Sequence, residues 1–99
     1  MHLTARRIDG GAPLREAKER RSVGLADLAG LTAELDPTGV GISFQLVACL
    51  ATRRRWARET TSLRAAALIE DALGCTRGTL FEQVTVYAKN DPQPEWSAL

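Results

Sequence analysis

The chain has 99 residues, of which 44% are hydrophobic and 25% charged, and its formal net charge at pH 7 is +1. This composition excludes disorder of the whole chain, and the length leaves room for one domain. The near-neutral charge excludes purely electrostatic binding to nucleic acid, which requires a strongly basic chain.

Few side chains suit metal, disulfide or catalytic chemistry. Cys49 and Cys75 stand apart from each other, and the one histidine, His2, lies beside the amino terminus. We therefore expect two buried free thiols, no metal and no cofactor. Because no Ser-His-Asp set or nucleotide-binding glycine loop occurs, we expect that the chain is not an enzyme. No apolar run approaches the roughly 20 residues of a membrane span, which predicts a cytoplasmic protein without a membrane partner.

The first half of the chain predicts a short arm and two helices. Residues 1–12 are predicted to form an amino-terminal arm or a short strand. Asp9 and the two glycines after it predict a turn that separates this segment from the first helix. Pro13 and the strong helix formers after it predict a first helix that ends near Ser22. Apolar residues at helical spacing predict a second helix over residues 24–35.

The second half predicts three further helices and a strand. Pro37 and Gly39 break the chain, and Ser43 can cap a third helix over residues 44–52. A fourth helix is predicted over residues 63–73, where Gly74 ends it, and a last helical turn over residues 76–81. Residues 83–87 alternate and are rich in β-branched side chains, which predicts a strand.

Two motifs occur among these predicted elements. The first, SVGLADLA over residues 22–29, covers the start of the second helix, and the second, ALGCTRGTLF over residues 72–81, covers the end of the fourth helix and the turn after it. In this order and spacing they resemble the Xre/Cro/phage-repressor family of helix-turn-helix proteins, of actinobacterial or actinobacteriophage type. The resemblance implies a mostly α fold: a five-helix helix-turn-helix domain over residues 13–82, followed by a β-strand and tail over residues 83–99. The turn over residues 33–41 is longer than in that family.

The resemblance implies that the third helix is a recognition helix that enters the major groove of DNA. The residues near its exposed start would read base edges: Ser43, Phe44, Gln45, Ala48 and Cys49. Gln45 is the strongest reader, because its amide can pair with adenine through two hydrogen bonds. Phe44 either contacts a thymine methyl group or lies in the core.

Arginines follow the third helix closely. Residues 43–64 hold five arginines and one acid, a local net charge of +4. The resemblance implies that four of them contact the phosphate backbone: Arg53, Arg54, Arg55 and Arg58. The alternative is a solvated basic loop. Trp56, which stands among them, is expected to pack beneath the loop.

These features predict a sequence-specific regulator of transcription, a repressor or Cro-like protein, that binds double-stranded DNA at a palindromic operator as a homodimer. The dimer would form by pairing of one strand from each copy: Val84, Thr85, Val86 and Tyr87. The other available partner for this strand is segment 2–7 of the same chain, and the dimer is favoured. In both arrangements Val84 and Val86 are expected to face the core. The alternative function is a protein-interaction module, such as a phage protein that binds a host factor through the apolar third helix.

Overall fold

The computed structural model describes residues 2–86, which form four α-helices and one antiparallel sheet. The helices are α1 (Ala12–Arg21), α2 (Leu25–Leu35), α3 (Phe44–Ala51) and α4 (Leu63–Ala72). The strands are β1 (His2–Arg7), β2 (Thr60–Thr61) and β3 (Phe81–Val86), and β1 lies in the middle of the sheet.

The prediction of a five-helix, mostly α fold is therefore wrong, and the missing helix is the one expected over residues 76–81. The buried carboxylate of Glu70 accepts hydrogen bonds from the backbone N–H groups of Gly78 (2.9 Å) and Leu80 (3.1 Å). Gly78 also has a φ of +89°, which a helix does not accommodate. The segment consequently forms a turn that leads directly into β3.

The four remaining helices confirm the sequence prediction, and local chemistry explains where they begin and end. The hydroxyl of Ser43 accepts a hydrogen bond from the N–H of Leu46 at 3.1 Å, and Ser62 caps α4 in the same way. After α4, Gly74 takes a left-handed conformation with a φ of +67°.

The partner of the carboxy-terminal strand is β1 of the same chain. The two strands pair antiparallel over their whole length, with His2 opposite Val86 and Arg7 opposite Phe81. The alternative partner, segment 2–7 of the same chain, therefore occupies one edge of β3, and the favoured pairing with a second copy stays a prediction. The other edge of β3 is unpaired within the described residues.

The described residues of this strand differ in how far they are buried. Phe81 is buried, and alternation along a strand puts Gln83 and Thr85 on the same face as Phe81. Val84 is half-buried, however, whereas Gln83 and Thr85 are exposed, so the expectation that Val84 faces the core stays a prediction. The strand begins two residues before the predicted start, at a core residue that fixes its phase. The side chain of Val86 and all of Tyr87 lie outside the described residues.

One core joins the helices and the sheet. Its fully buried side chains come from every helix and from the turn before β3: Leu14, Leu28, Val47, Leu50, Ile69 and Leu80. Because Val47 and Leu50 point into this core, the opposite face of α3 is turned outward.

Candidate functional site

The connection between α2 and α3, residues 36–43, is folded around the carboxylate of Asp36. This buried carboxylate accepts hydrogen bonds from the backbone N–H groups of Thr38 (2.9 Å) and Gly41 (2.8 Å) and forms an ion pair with Arg64. The hydrogen bond from Arg64, followed by those from the two N–H groups, holds the pKa of Asp36 far below its ordinary range. The long turn thus has a defined conformation that fixes where α3 begins.

The same connection packs tightly against the end of α2. Gly41 has a φ of +66°, and a Cβ atom there would lie 2.5 Å from the Cα of Ala33. The backbone N–H of Ile42 donates a hydrogen bond to the hydroxyl of the buried Thr32 at 2.9 Å. Only glycine at position 41 allows this close approach.

Two arginines hold the carboxyl end of α3. Arg7 donates hydrogen bonds through Nη1 to the carbonyl oxygens of Leu50 (3.0 Å) and Thr52 (2.6 Å). Arg15 donates from its own Nη1 to the carbonyl of Ala51 at 3.0 Å. Positive charge at this end is favourable because the last carbonyls of a helix lack partners within it.

Sequence reasoning did not find these two arginines. The signal that could have found Arg7 is its inward position in the alternating segment 2–7. That signal can be used only once the segment is known to be a strand.

Arg7 also fixes the segment that carries the arginines, residues 52–59, which we call the arginine loop. Its Nη2 lies 2.6 Å from Oε1 of Glu59, and its backbone N–H donates to the carbonyl of Glu59 at 2.8 Å. The N–H of Arg58 donates to the carbonyl of Cys49 at 2.9 Å. The hydrogen bond from Arg7 keeps the pKa of Glu59 below its ordinary value. Both ends of the loop are therefore bound to the same residue.

All five expected base-reading residues lie on the outward surface of α3 or at its start. Ser43, Phe44 and Gln45 are exposed, whereas Ala48 and Cys49 are half-buried. Phe44 is 54% exposed, which decides against the alternative that it belongs to the core. Cys49 and Cys75 are free, but neither is fully buried as expected.

The four arginines expected to contact phosphate are all exposed: Arg53, Arg54, Arg55 and Arg58. None forms an ion pair with a carboxylate within residues 2–86. Burial, followed by repulsion from Arg53 and Arg7, lowers the pKa of Arg15, and this repulsion reflects the positive charge gathered beside the carboxyl end of α3.

Trp56 does not pack beneath the arginine loop as expected. It is 53% exposed and lines a cleft on the α3 surface together with Phe44 and Ala48. Its side chain lies beside α3, and the loop that carries it is held at its ends by Arg7 and by the hydrogen bond to Cys49.

No protein family, curated protein or solved structure matches the chain. The likeness to the Xre/Cro/phage-repressor family thus depends on the two sequence motifs. None of the helices in the described part combines the length and the apolar character needed to cross a membrane.

Proposed function

We propose that this protein binds duplex DNA in a sequence-dependent way as a regulator of transcription, a repressor or Cro-like protein. The observation that carries the proposal is the position of the arginine loop directly after α3, with four exposed arginines beside an outward helix surface. An α-helix fits the major groove, where side chains reach base edges. Arginines beside the groove would neutralise phosphates and set the register of the protein on the duplex.

Gln45 and the arginines have different roles in this proposal because their side chains differ in chemistry. Gln45 is exposed in the first turn of α3, and its amide can both donate to and accept from adenine. Arg58 lines a cleft with Gln45 and Cys49, so a phosphate contact there would lie next to the base contact. Gln45 therefore supplies specificity, and the arginines supply affinity.

A two-fold dimer on a palindromic operator is the proposed assembly. The unpaired edge of β3 in the described part of the chain supports it, because exposed strand edges tend to pair. Two recognition helices in such a dimer would stand about 34 to 36 Å apart. Light scattering on the intact chain and on a chain that ends at Glu82 tests the assembly, and monomers in both at high micromolar concentration would exclude pairing through β3.

A second candidate function is binding of another protein, which the exposure of Phe44 and Trp56 favours. Exposed apolar patches often mark protein interfaces. The four arginines make an acidic partner the natural choice. A preference for one nucleotide sequence over another is expected of the DNA-binding function and not of binding to such a partner.

The test compares binding of the full chain to duplex fragments from the region upstream of its own gene with binding to a scrambled fragment of equal length, at several salt concentrations. Tighter binding to one upstream fragment is expected. Replacing Arg54 and Arg55 by alanine should flatten the slope of log K against log salt by about 0.9 per lost phosphate contact.

The control replaces Arg6 and Arg77, which removes the same charge from ion pairs with Glu82 and Asp71 elsewhere on the surface. Its salt slope should remain that of the wild type. Equal affinity for all fragments, or an unchanged slope in the Arg54 and Arg55 variant, would overturn the proposed function.

A further inference from the structure

An open cleft of about 570 Å³ lies on the outward surface of α3. Its lining is apolar apart from one amide and consists of Phe44, Gln45, Ala48, Cys49 and Trp56. Phe44 and Trp56 are each more than half exposed, although aromatic side chains of this size are usually covered. An exposed apolar surface of this kind is suited to an apolar group of a partner.

The surroundings of the cleft restrict the kind of partner. Arg58 lines the neighbouring cleft on the side of Gln45 and Cys49, and Arg54 lines the one on the other side of Trp56. Lys18 and Arg15 line the same cleft as Arg54, and the one acid there, Glu19, leaves the lining with a net positive charge. An apolar floor with a cationic rim is complementary to a polyanion that carries small apolar groups.

Duplex DNA is such a polyanion. In the major groove the one apolar group among the base edges is the C5 methyl of thymine, and the other groups are hydrogen-bond donors and acceptors. We infer that the cleft between Phe44, Ala48 and Trp56 is a site for thymine methyl groups, and this inference rests on the proposed function. With Gln45 at its edge suited to adenine, the surface selects A·T base pairs.

The contribution of the cleft is distinct from that of Gln45. A thymine and a cytosine differ at C5 by one methyl group, and burial of one such group contributes about fourfold in affinity. Trp56 comes from the arginine loop and not from α3, so the site exists only when the loop is held beside the helix.

The experiment first selects a binding duplex from a random library with the full chain, then replaces its thymines one at a time by deoxyuridine. This change removes the methyl group and leaves base pairing intact. We expect about a fourfold loss of affinity at one or two thymines and none at the others. At such a position, a duplex that carries 5-methylcytosine should bind more tightly than a duplex that carries cytosine.

Trp56→Ala should bind thymine and deoxyuridine duplexes equally and keep the salt slope of the wild type. Leu3→Ala, which shortens an exposed apolar side chain on β1, is the matched control and should keep the preference for thymine. Binding of the selected duplex without any loss on deoxyuridine replacement would overturn the methyl site and leave the proposed function intact. Failure to select any duplex would overturn both, and would favour an acidic protein as the partner.

Discussion

Arg7 and Glu59 form an ion pair in which the guanidinium is buried and the carboxylate is exposed, with side-chain exposures of 5% and 57%. The pair links the last residue of β1 to the end of the arginine loop. Since Arg7 also donates to two carbonyls at the end of α3, a single side chain connects the sheet, the helix and the loop.

Replacing the two members of this pair should have unequal effects. Arg7→Ala leaves the carbonyls of Leu50 and Thr52 without their partner and should lower the free energy of unfolding by about 2 to 3 kcal/mol. Glu59→Gln retains those contacts and loses only a solvent-screened ion pair, so its effect should be much smaller. Urea denaturation measures both. Equal losses would show that Arg7 acts through Glu59 and not through the helix end.

Protonation of the Asp36 carboxylate should lower the free energy of unfolding in acid. Its pKa in the folded state is far below the value of about 3.9 expected in the unfolded chain. A lowered folded pKa contributes stability that is present above the unfolded pKa and is lost as the pH falls below about 4. Asp36→Asn should therefore flatten the decline of the unfolding free energy between pH 5 and pH 3, measured by urea denaturation.

Asp71 offers the matched control for this experiment. Its carboxylate is exposed and pairs with Arg77, whose hydrogen bond lowers the pKa of Asp71. Asp71→Asn should change the acid dependence less than Asp36→Asn does, because solvent screens the exposed pair. Parallel curves for wild type and Asp36→Asn would contradict the role given to the buried carboxylate.

Two glycines in the connection before α3 should respond differently to substitution by alanine. Both have positive φ, +77° at Gly39 and +66° at Gly41, so alanine at either position carries backbone strain of about 1 to 2 kcal/mol. At Gly39 the added methyl meets open space, but at Gly41 it would collide with the backbone of Ala33. Gly41→Ala should lower the thermal midpoint well beyond Gly39→Ala. Similar midpoints would mean that the connection moves away from α2 at little cost.

Gln45→Ala should separate specificity from affinity. On the selected duplex we expect a loss of about 1 to 3 kcal/mol, because a bidentate contact to adenine is removed, and binding to scrambled DNA should stay nearly constant. Gln83→Ala is the same substitution on an exposed residue of β3 and should bind as the wild type does. Equal losses on both DNAs would remove Gln45 from base reading.

The helices were accessible from the sequence because their signals are local. Ser43, Ser62 and Gly74 mark helix ends through their own backbone neighbours, and the structure has the ends there. The sheet was not accessible, because pairing of β1 with β3 joins segments about eighty residues apart. The turn at Gly78 depends likewise on Glu70, whose burial no local pattern reveals.

In the candidate site, too, the features set by local sequence were predictable and those set by distant contacts were not. The sequence left Phe44 open between the groove and the core, whereas exposure of Gln45 followed from the helical phase of Val47 and Leu50. The exposed position of Trp56 did not, since it depends on hydrogen bonds from Arg7 and Arg58 to α3 and to Glu59.

The central position of β1 has a consequence for synthesis of the chain. β1 is synthesised long before its partner and can pair with it only when residues 81–86 have followed. Before that only the two-residue strand β2 is available to pair with β1, and closing so long a loop costs entropy that local helix contacts do not. The helices should thus assemble first during translation. Closure of the sheet, which secures Arg7 against the end of α3, should be the last step.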